Sequence, residues 1–171
     1  EYLYGISEVS SSWPDAALQA QVLAARTYAL SAIAAGPRKA CDCHVDDGRG
    51  PYSDQVFSGW SKQSGAMGER WVAAVNATHA SPTAGMAILY EGQPIRAFYS
   101  SSSGGATQAS VDQWGGDLPY VRSVADPWSL SEDNPNRSWT VTVDQARMAQ
   151  AFAAAAVQQG DVIARDPSGV A

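Results

Sequence analysis

The stretch Ala16-Ala-Leu-Gln-Ala-Gln-Val-Leu-Ala-Ala-Arg-Thr-Tyr-Ala-Leu30 decides the architecture. Leu18, Val22, Ala25 and Ala29 recur at helical spacing, which predicts a helix with one buried face. Arg26 lies beside that stripe, flanked by alanines small enough to let a neighbouring segment pack close. An unpaired buried arginine is expensive, so Arg26 requires an anionic or carbonyl partner. Upstream, Ser12 and Asp15 form a hydroxyl-x-x-acid pattern close to a capping box, and Pro14 suits a first turn. Further upstream a lone acid, Glu8, sits among aromatics and hydroxyls in Tyr2-Leu-Tyr-Gly-Ile-Ser-Glu-Val-Ser-Ser-Ser-Trp-Pro14.

Downstream, Gly36-Pro37 ends the helix, and residues 36–54 read as a long loop rich in Asp and Gly. Gln55 to Trp60 reads as a short strand or helix entry with a turn at Gly59. Lys62 to Ala77 predicts a second helix with Met67, Trp71, Ala74 and Val75 on its apolar side. After a turn at Ser81–Gly85, Met86–Tyr90 and Ile95–Tyr99 predict a hairpin around Glu91-Gly-Gln-Pro94. Residues 107–137 are irregular and rich in turn formers. Trp139-Thr-Val-Thr-Val143 alternates as a strand does, and Asp144 is placed to cap a third helix, Gln145 to Gln158. The sum is an α+β fold: alanine-rich helices packed with a small antiparallel β-sheet, and long ordered loops lining a groove.

A chain of 171 residues fits one domain, with room for two lobes. Acids outnumber bases 17 to 11, which argues against nucleic acid as a partner. No run of about 18 apolar residues occurs, so no membrane span is expected. The chain opens in mid-motif, and Asp161–Ala171 reads as a strand cut short. The expectation is a fragment, residues 1–171, truncated at its C-terminus.

The two cysteines stand in Cys41-Asp-Cys-His44. A disulfide across a single residue closes a tight ring, so a conventional structural bridge is not expected. Cys41, Cys43 and His44 are instead candidate soft ligands, three of the four a zinc takes. A Cys-His enzyme built on the adjacent Cys43 and His44 is disfavoured, because neighbouring residues rarely present both side chains productively. Glu8 is the stronger candidate: desolvation among Tyr2, Tyr4, Val9 and Trp13 would equip it to donate a proton. Asp46, Asp47, Asp54 and Asp112 are open choices for a second acid, and a one-acid mechanism is equally open. Ser100-Ser-Ser-Ser-Gly-Gly105 reads as a binding loop rather than a linker, because it interrupts a compact region between Tyr99 and Trp114. Trp60, Trp114, Tyr120 and Trp128, in irregular segments, are candidates for stacking on sugar rings.

Taken in order, Glu1-Tyr-Leu-x-Gly-Ile-x-Glu8, Trp13-Pro-x-x-Ala-Leu18, Gln19–Tyr28, Ser53-Asp-Gln-Val-Phe-x-Gly-Trp60, Ala97-Phe-Tyr-Ser-Ser-Ser-Ser-Gly-Gly-Ala-Thr107, Trp114-Gly and Leu118–Pro127 resemble the SpoIID/LytB family. That family is named for stage II sporulation protein D and an amidase enhancer. The resemblance implies a bacterial, extracytoplasmic domain at the cell wall or the outer face of the cytoplasmic membrane. It implies a lytic transglycosylase acting on peptidoglycan glycan strands that have lost their stem peptides, with Glu8 as acid and then base. It places Arg26, Gln55, Tyr99, Ser100, Ser101, Gly104 and Gly105 along the groove, where Trp114 joins them as a stacking residue. Arg26 is expected to pair with Glu8 or with the lactyl carboxylate of MurNAc. The chemistry requires no cofactor. Some relatives hold zinc in the loop before Gln55, but here the cysteine spacing is compressed. A non-catalytic domain that binds glycan and enhances a cell-wall amidase is the alternative.

Overall fold

A computed structural model describes residues 1–47, 54–81 and 83–158. The strand expected at Asp161–Ala171 lies outside them, as do Pro82 and residues 48–53 of the long loop. The chain divides into two compact units. The first comprises Glu1–Ser101 and Thr107–Val124; the second comprises Ser102–Ala106 and the chain from Ala125 onward. Helices with small two-stranded antiparallel sheets make this an α+β protein.

In the first unit the long helix α1 spans Asp15–Ala35, and its predicted stripe of Leu18, Val22, Ala25 and Ala29 is buried. The capping box does not form. Pro14 is the N-cap, its carbonyl accepting from the Ala17 and Leu18 amides, while Ser12 pairs with Ser10. Asp15 turns outward to the Arg70 guanidinium at 2.5 Å. Because proline fixes φ near −65°, it sets the entry to the helix without a side-chain cap.

The helix predicted over Lys62–Ala77 is two helices, α2 (Trp60–Ser64) and α3 (Gly68–Ala77). The break is backbone chemistry: Gly65 is extended, and Met67 enters the left-handed region at φ 57°. Met67 is therefore exposed, whereas Trp71, Ala74 and Val75 are buried with Ile6, Leu18, Val22 and Ala25 as one core. Trp71 Nε1 donates to the Leu3 carbonyl at 2.9 Å, so the largest core side chain is satisfied as well as packed. Leu3 belongs to a 3-10 turn, Tyr2–Gly5, which ends against the Phe57 ring. A Cβ at Gly5 would collide with that ring, so the turn admits only glycine there.

β1 (His79–Ser81) pairs with β2 (Ala84–Gly85), where only a turn was expected. The hairpin of β3 (Leu89–Tyr90) and β4 (Gln93–Pro94) is tighter than predicted, with Leu89 opposite Pro94 and Tyr90 opposite Gln93. Its two-residue loop is Glu91-Gly92, both at positive φ (50° and 78°), the geometry that matches the twist of paired strands. A short helix α4 (Ser110–Trp114) forms inside the segment read as irregular.

In the second unit Ala106 bridges to Ala125, a 3-10 turn covers Pro127–Leu130, and α5 spans Gln145–Gln158. Asp144 caps α5 as predicted, its Oδ1 accepting from the Ala146 and Arg147 amides. The strand predicted at Trp139–Val143 is not formed. Among the described residues it has no partner, and Trp139 and Val141 are 80% and 67% exposed. Alternation alone does not make a strand when no neighbouring edge accepts its hydrogen bonds.

Candidate active site

Glu8 follows directly from the pairing of two chain segments. Ile6 bridges antiparallel to Phe57, the Ser7 amide donates to the Val56 carbonyl, and the Ser58 amide donates to the Gly5 carbonyl. This short ladder fixes the backbone at Glu8, and the side chain then folds back. The Val56 amide donates to Glu8 Oε1 at 2.8 Å, and the Tyr99 hydroxyl donates to the same oxygen at 2.9 Å. Among the described residues no donor reaches Oε2.

Behind Tyr99 stands Gln55, only 1% exposed. Its Nε2 donates to the Tyr99 hydroxyl oxygen (3.3 Å) and to the Ala25 carbonyl (3.2 Å), and its Oε1 accepts from the Tyr2 hydroxyl (2.7 Å). The amide's capacity is thus spent on orienting two tyrosines, as a buried polar group requires. Desolvation, the hydrogen bond to Glu8 and the charge of Glu8 all push Tyr99 above the ordinary phenol range, with Gln55 acting the other way. Tyr99 is thereby kept protonated as a donor. Burial, aided by the charges of Asp54 and Glu8, pushes Tyr2 up to about 12.

Glu8 lines a cleft of about 380 Å³ with Ser7, Val9, Ser10, Ser11, Ser58, Ser61, Lys62, Gly65 and Ala66. It is the one carboxylate among those residues; Asp46, Asp47, Asp54 and Asp112 do not line it. Asp54 is committed elsewhere. It takes a two-bond grip from Arg38 (2.5 and 2.7 Å), the Tyr28 hydroxyl (2.7 Å) and the Asp46 amide (2.8 Å). The Arg38 hydrogen bonds chiefly hold it down to about 2, against a desolvation that acts the other way.

Other candidates are placed differently. Arg26, 8% exposed, donates Nη1 to the Thr78 and Met86 carbonyls (3.2 and 2.8 Å) and Nη2 to the Thr78 hydroxyl (2.9 Å). Two of these three bonds go to carbonyls, one of the two kinds of partner its burial demanded, and none goes to Glu8. Gly85 closes over it: a Cβ there would meet Arg26 Nε at 2.6 Å. Arg26 thus ties α1 to the chain after α3. Ser100 and Ser101 are exposed, directly after Tyr99. Gly104 and Gly105 belong to the second unit, at φ 70° and 110°. There the Gly105 amide donates to Ser129 Oγ and the Ser103 hydroxyl to Asp126, so this half of the serine run is folded and not a linker. Trp114 is 57% exposed in the first unit, 4.7 Å from the Phe98 ring in a second cleft with Arg96, Gly116 and Leu118.

Cys41 and Cys43 form a disulfide, which overturns the expectation against one. The reason is local: the Arg38 amide pairs with the Cys43 carbonyl, and Asp42 adopts φ 51°, so a tight turn brings the two Cα atoms to 5.1 Å. A zinc site at Cys41, Cys43 and His44 does not fit this pair, because a disulfide offers no thiolate. The same bond removes Cys43 as a nucleophile.

A family model described as Stage II sporulation protein matches residues 1–90, which include Glu8, Arg26 and Gln55. The chain belongs to the SpoIID/LytB family. It is 31% identical over 142 residues to a Bacillus subtilis (strain 168) protein named Amidase enhancer, covering 83% of this chain and 16% of that one. It is 30% identical over 160 residues to Stage II sporulation protein D of the same organism, covering 88% of this chain and 44% of the relative. Stage II sporulation protein D of Bacillus amyloliquefaciens is 33% identical over 136 residues, 75% of this chain and 38% of that protein. The chain therefore spans less than half the length of these SpoIID/LytB relatives. No helix among the described residues is long and apolar enough to cross a membrane.

One residue of the cleft escaped the sequence reading. Lys62, 9% exposed, donates Nζ to the Val9 carbonyl at 2.6 Å and lies 5.1 Å from the Trp71 ring centre. Burial pushes its amine down. Its neighbours Ser61, Gln63 and Ser64 mark the segment as solvated, and only contacts remote in sequence reveal the burial.

Proposed function

We propose that this domain is a lytic transglycosylase that cuts the MurNAc–GlcNAc bonds of peptidoglycan strands lacking stem peptides. The observation that carries the reading is a cleft with one carboxylate whose two oxygens differ. Both donors on Glu8, the Val56 amide and the Tyr99 hydroxyl, occupy Oε1, so Oε2 is the oxygen that carries the proton when Glu8 acts as an acid. From there it passes to the glycosidic oxygen as the bond from the MurNAc C1 breaks. The sugar's own 6-hydroxyl then attacks C1 and returns its proton to Glu8, closing a 1,6-anhydro ring. No water and no second carboxylate enter, which accords with Glu8 being the only carboxylate among the described residues that line the cleft. General acid–base action of this kind contributes about 10²–10⁴-fold.

Membership of the SpoIID/LytB family supports a cell-wall role, and with it an extracytoplasmic setting and glycan strands as the partner. A second reading rests on the relative named Amidase enhancer. In that reading the cleft binds strands without cutting them and assists a cell-wall amidase. Mass spectrometry of strands stripped of stem peptides and incubated with the domain separates the two. Anhydro-MurNAc ends are expected. Reducing ends mean a hydrolase instead, and binding without new ends favours the enhancer.

A further inference from the structure

Lys62 is an ammonium with more capacity than the fold uses. It carries three donors. The Val9 carbonyl takes one, and the Trp71 ring faces the charge. Among the described residues no carboxylate lies within ion-pair distance, although Nζ is bonded to the residue next to Glu8. A desolvated cation left without a counter-charge is costly in the absence of a ligand and gains most from an anionic one. The serines that line the cleft with it, Ser7, Ser10, Ser11, Ser58 and Ser61, are uncharged, so they bring Lys62 no counter-charge of their own. Arg26, the other cation expected to meet the substrate, is occupied by Thr78 and Met86.

We propose that Lys62 is the anion-reading residue of the Glu8 cleft, binding the carboxylate of an acidic sugar beside the scissile bond. The inference rests on the glycan reading above and narrows it. On a peptidoglycan strand without stem peptides the carboxylate in question is the lactyl group of MurNAc. An attached stem peptide converts that group to a neutral amide and adds bulk at the same point. Lys62 thus supplies a chemical reason for a preference for stripped strands: it recognises the charge that peptide removal exposes.

The test is binding, measured by calorimetry in the Glu8→Gln protein so that strands stay intact. Three probes are compared: stripped strands, the same strands with the lactyl carboxyls amidated, and chitin oligosaccharides. With Lys62 present, stripped strands bind about tenfold or more tighter than amidated ones, the range of a charge-assisted hydrogen bond. Lys62→Met lowers affinity for stripped strands to that for amidated ones and leaves the amidated affinity unchanged. Lys62→Arg keeps the preference. The amidated strand doubles as a folding control. Equal affinity for acid and amide in the Lys62 protein overturns the proposal while leaving the glycan cleft standing. A Lys62→Met protein that loses both probes together while Lys62→Gln keeps the preference overturns it as well, since Lys62 then only supports Val9. Failure of all three probes overturns the glycan reading itself, and this proposal with it.

Discussion

Two carboxylates in the first unit are held in opposite ways. Asp54 is closed: its side chain is 4% exposed, and Arg38, Tyr28 and the Asp46 amide together engage both oxygens. Glu8 lines the cleft and is half closed, with Oε1 anchored and no donor on Oε2 among the described residues. Both draw on tyrosine hydroxyls and a backbone amide. What separates them is the cation. Arg38 grips Asp54 directly, whereas Lys62 lines the Glu8 cleft and bonds Val9 instead. A carboxylate with every lone pair claimed contributes stability; one with a spare oxygen and a fixed position can exchange a proton with a ligand.

The largest effect follows from replacing the open acid. Glu8→Gln keeps an oxygen for Val56 and Tyr99 but has no proton of carboxylic character to give. Strand cleavage is expected to fall at least about 10²–10⁴-fold, with the melting temperature within a few degrees of the parent. Release of anhydro ends and a thermal melt report the two quantities side by side. A large loss of stability would place Glu8 in the same class as Asp54 and break the contrast.

Asp54→Asn is the mirror case. Removing the charge leaves Arg38 with a neutral partner, and a loss of about 2 kcal/mol is expected, with cleavage per folded molecule kept within about threefold. The pH dependence gives the same answer from another side. The folded pKa of Asp54 is depressed to about 2 from 3.8, so its contribution is present above about pH 4 and lost as pH falls through about 2. A shift of this size corresponds to about 2 kcal/mol. The gap between parent and variant urea midpoints should narrow to about a third between pH 5 and pH 2.5. A constant gap between them would mean that Asp54 does not titrate with the fold.

The contrast also marks what was legible beforehand. The buried face of α1 was readable because Leu18, Val22, Ala25 and Ala29 follow a helical period, and period is a local property. Glu8 was readable as a lone acid, and its motif carried the family. The break at Gly65–Met67 was not, since Met67 fits an apolar helical stripe and its left-handed φ shows only in the backbone. Trp139–Val143 misled because alternation describes side chains, whereas a strand needs a paired edge. The surroundings of Arg26 and Lys62 were not legible for the same reason: they depend on Thr78, Met86, Val9 and Trp71, all distant in sequence or across a turn.

Tyr99→Phe sharpens the comparison within the open site. It removes one of the two donors on Oε1 while the Val56 amide still holds that oxygen, so the proton's preference for Oε2 is weakened. The expected loss is about tenfold in cleavage rate, with a stability change of about 1 kcal/mol, because Gln55 keeps its bonds to Ala25 and Tyr2. The effect should fall on turnover more than on strand affinity. An equal loss in both would make Tyr99 a binding residue rather than a positioning one.

The smallest effect belongs to the disulfide beside the closed site. Cys41 and Cys43 are separated by one residue, so the bond closes a very small loop. Disulfide stabilisation through chain entropy grows with loop length, and little is available here. The turn is also held without it, by the Arg38 and Asp42 amides bonding to the Cys43 and Arg38 carbonyls. Replacing both cysteines with serine is expected to change stability by less than about 1 kcal/mol and to leave cleavage unaltered, read by urea unfolding and by anhydro-end release. A larger destabilisation would have to travel through Arg38, the residue shared by the turn and the Asp54 cluster. It should then vanish in an Asp54→Asn background, where that cluster is already weakened.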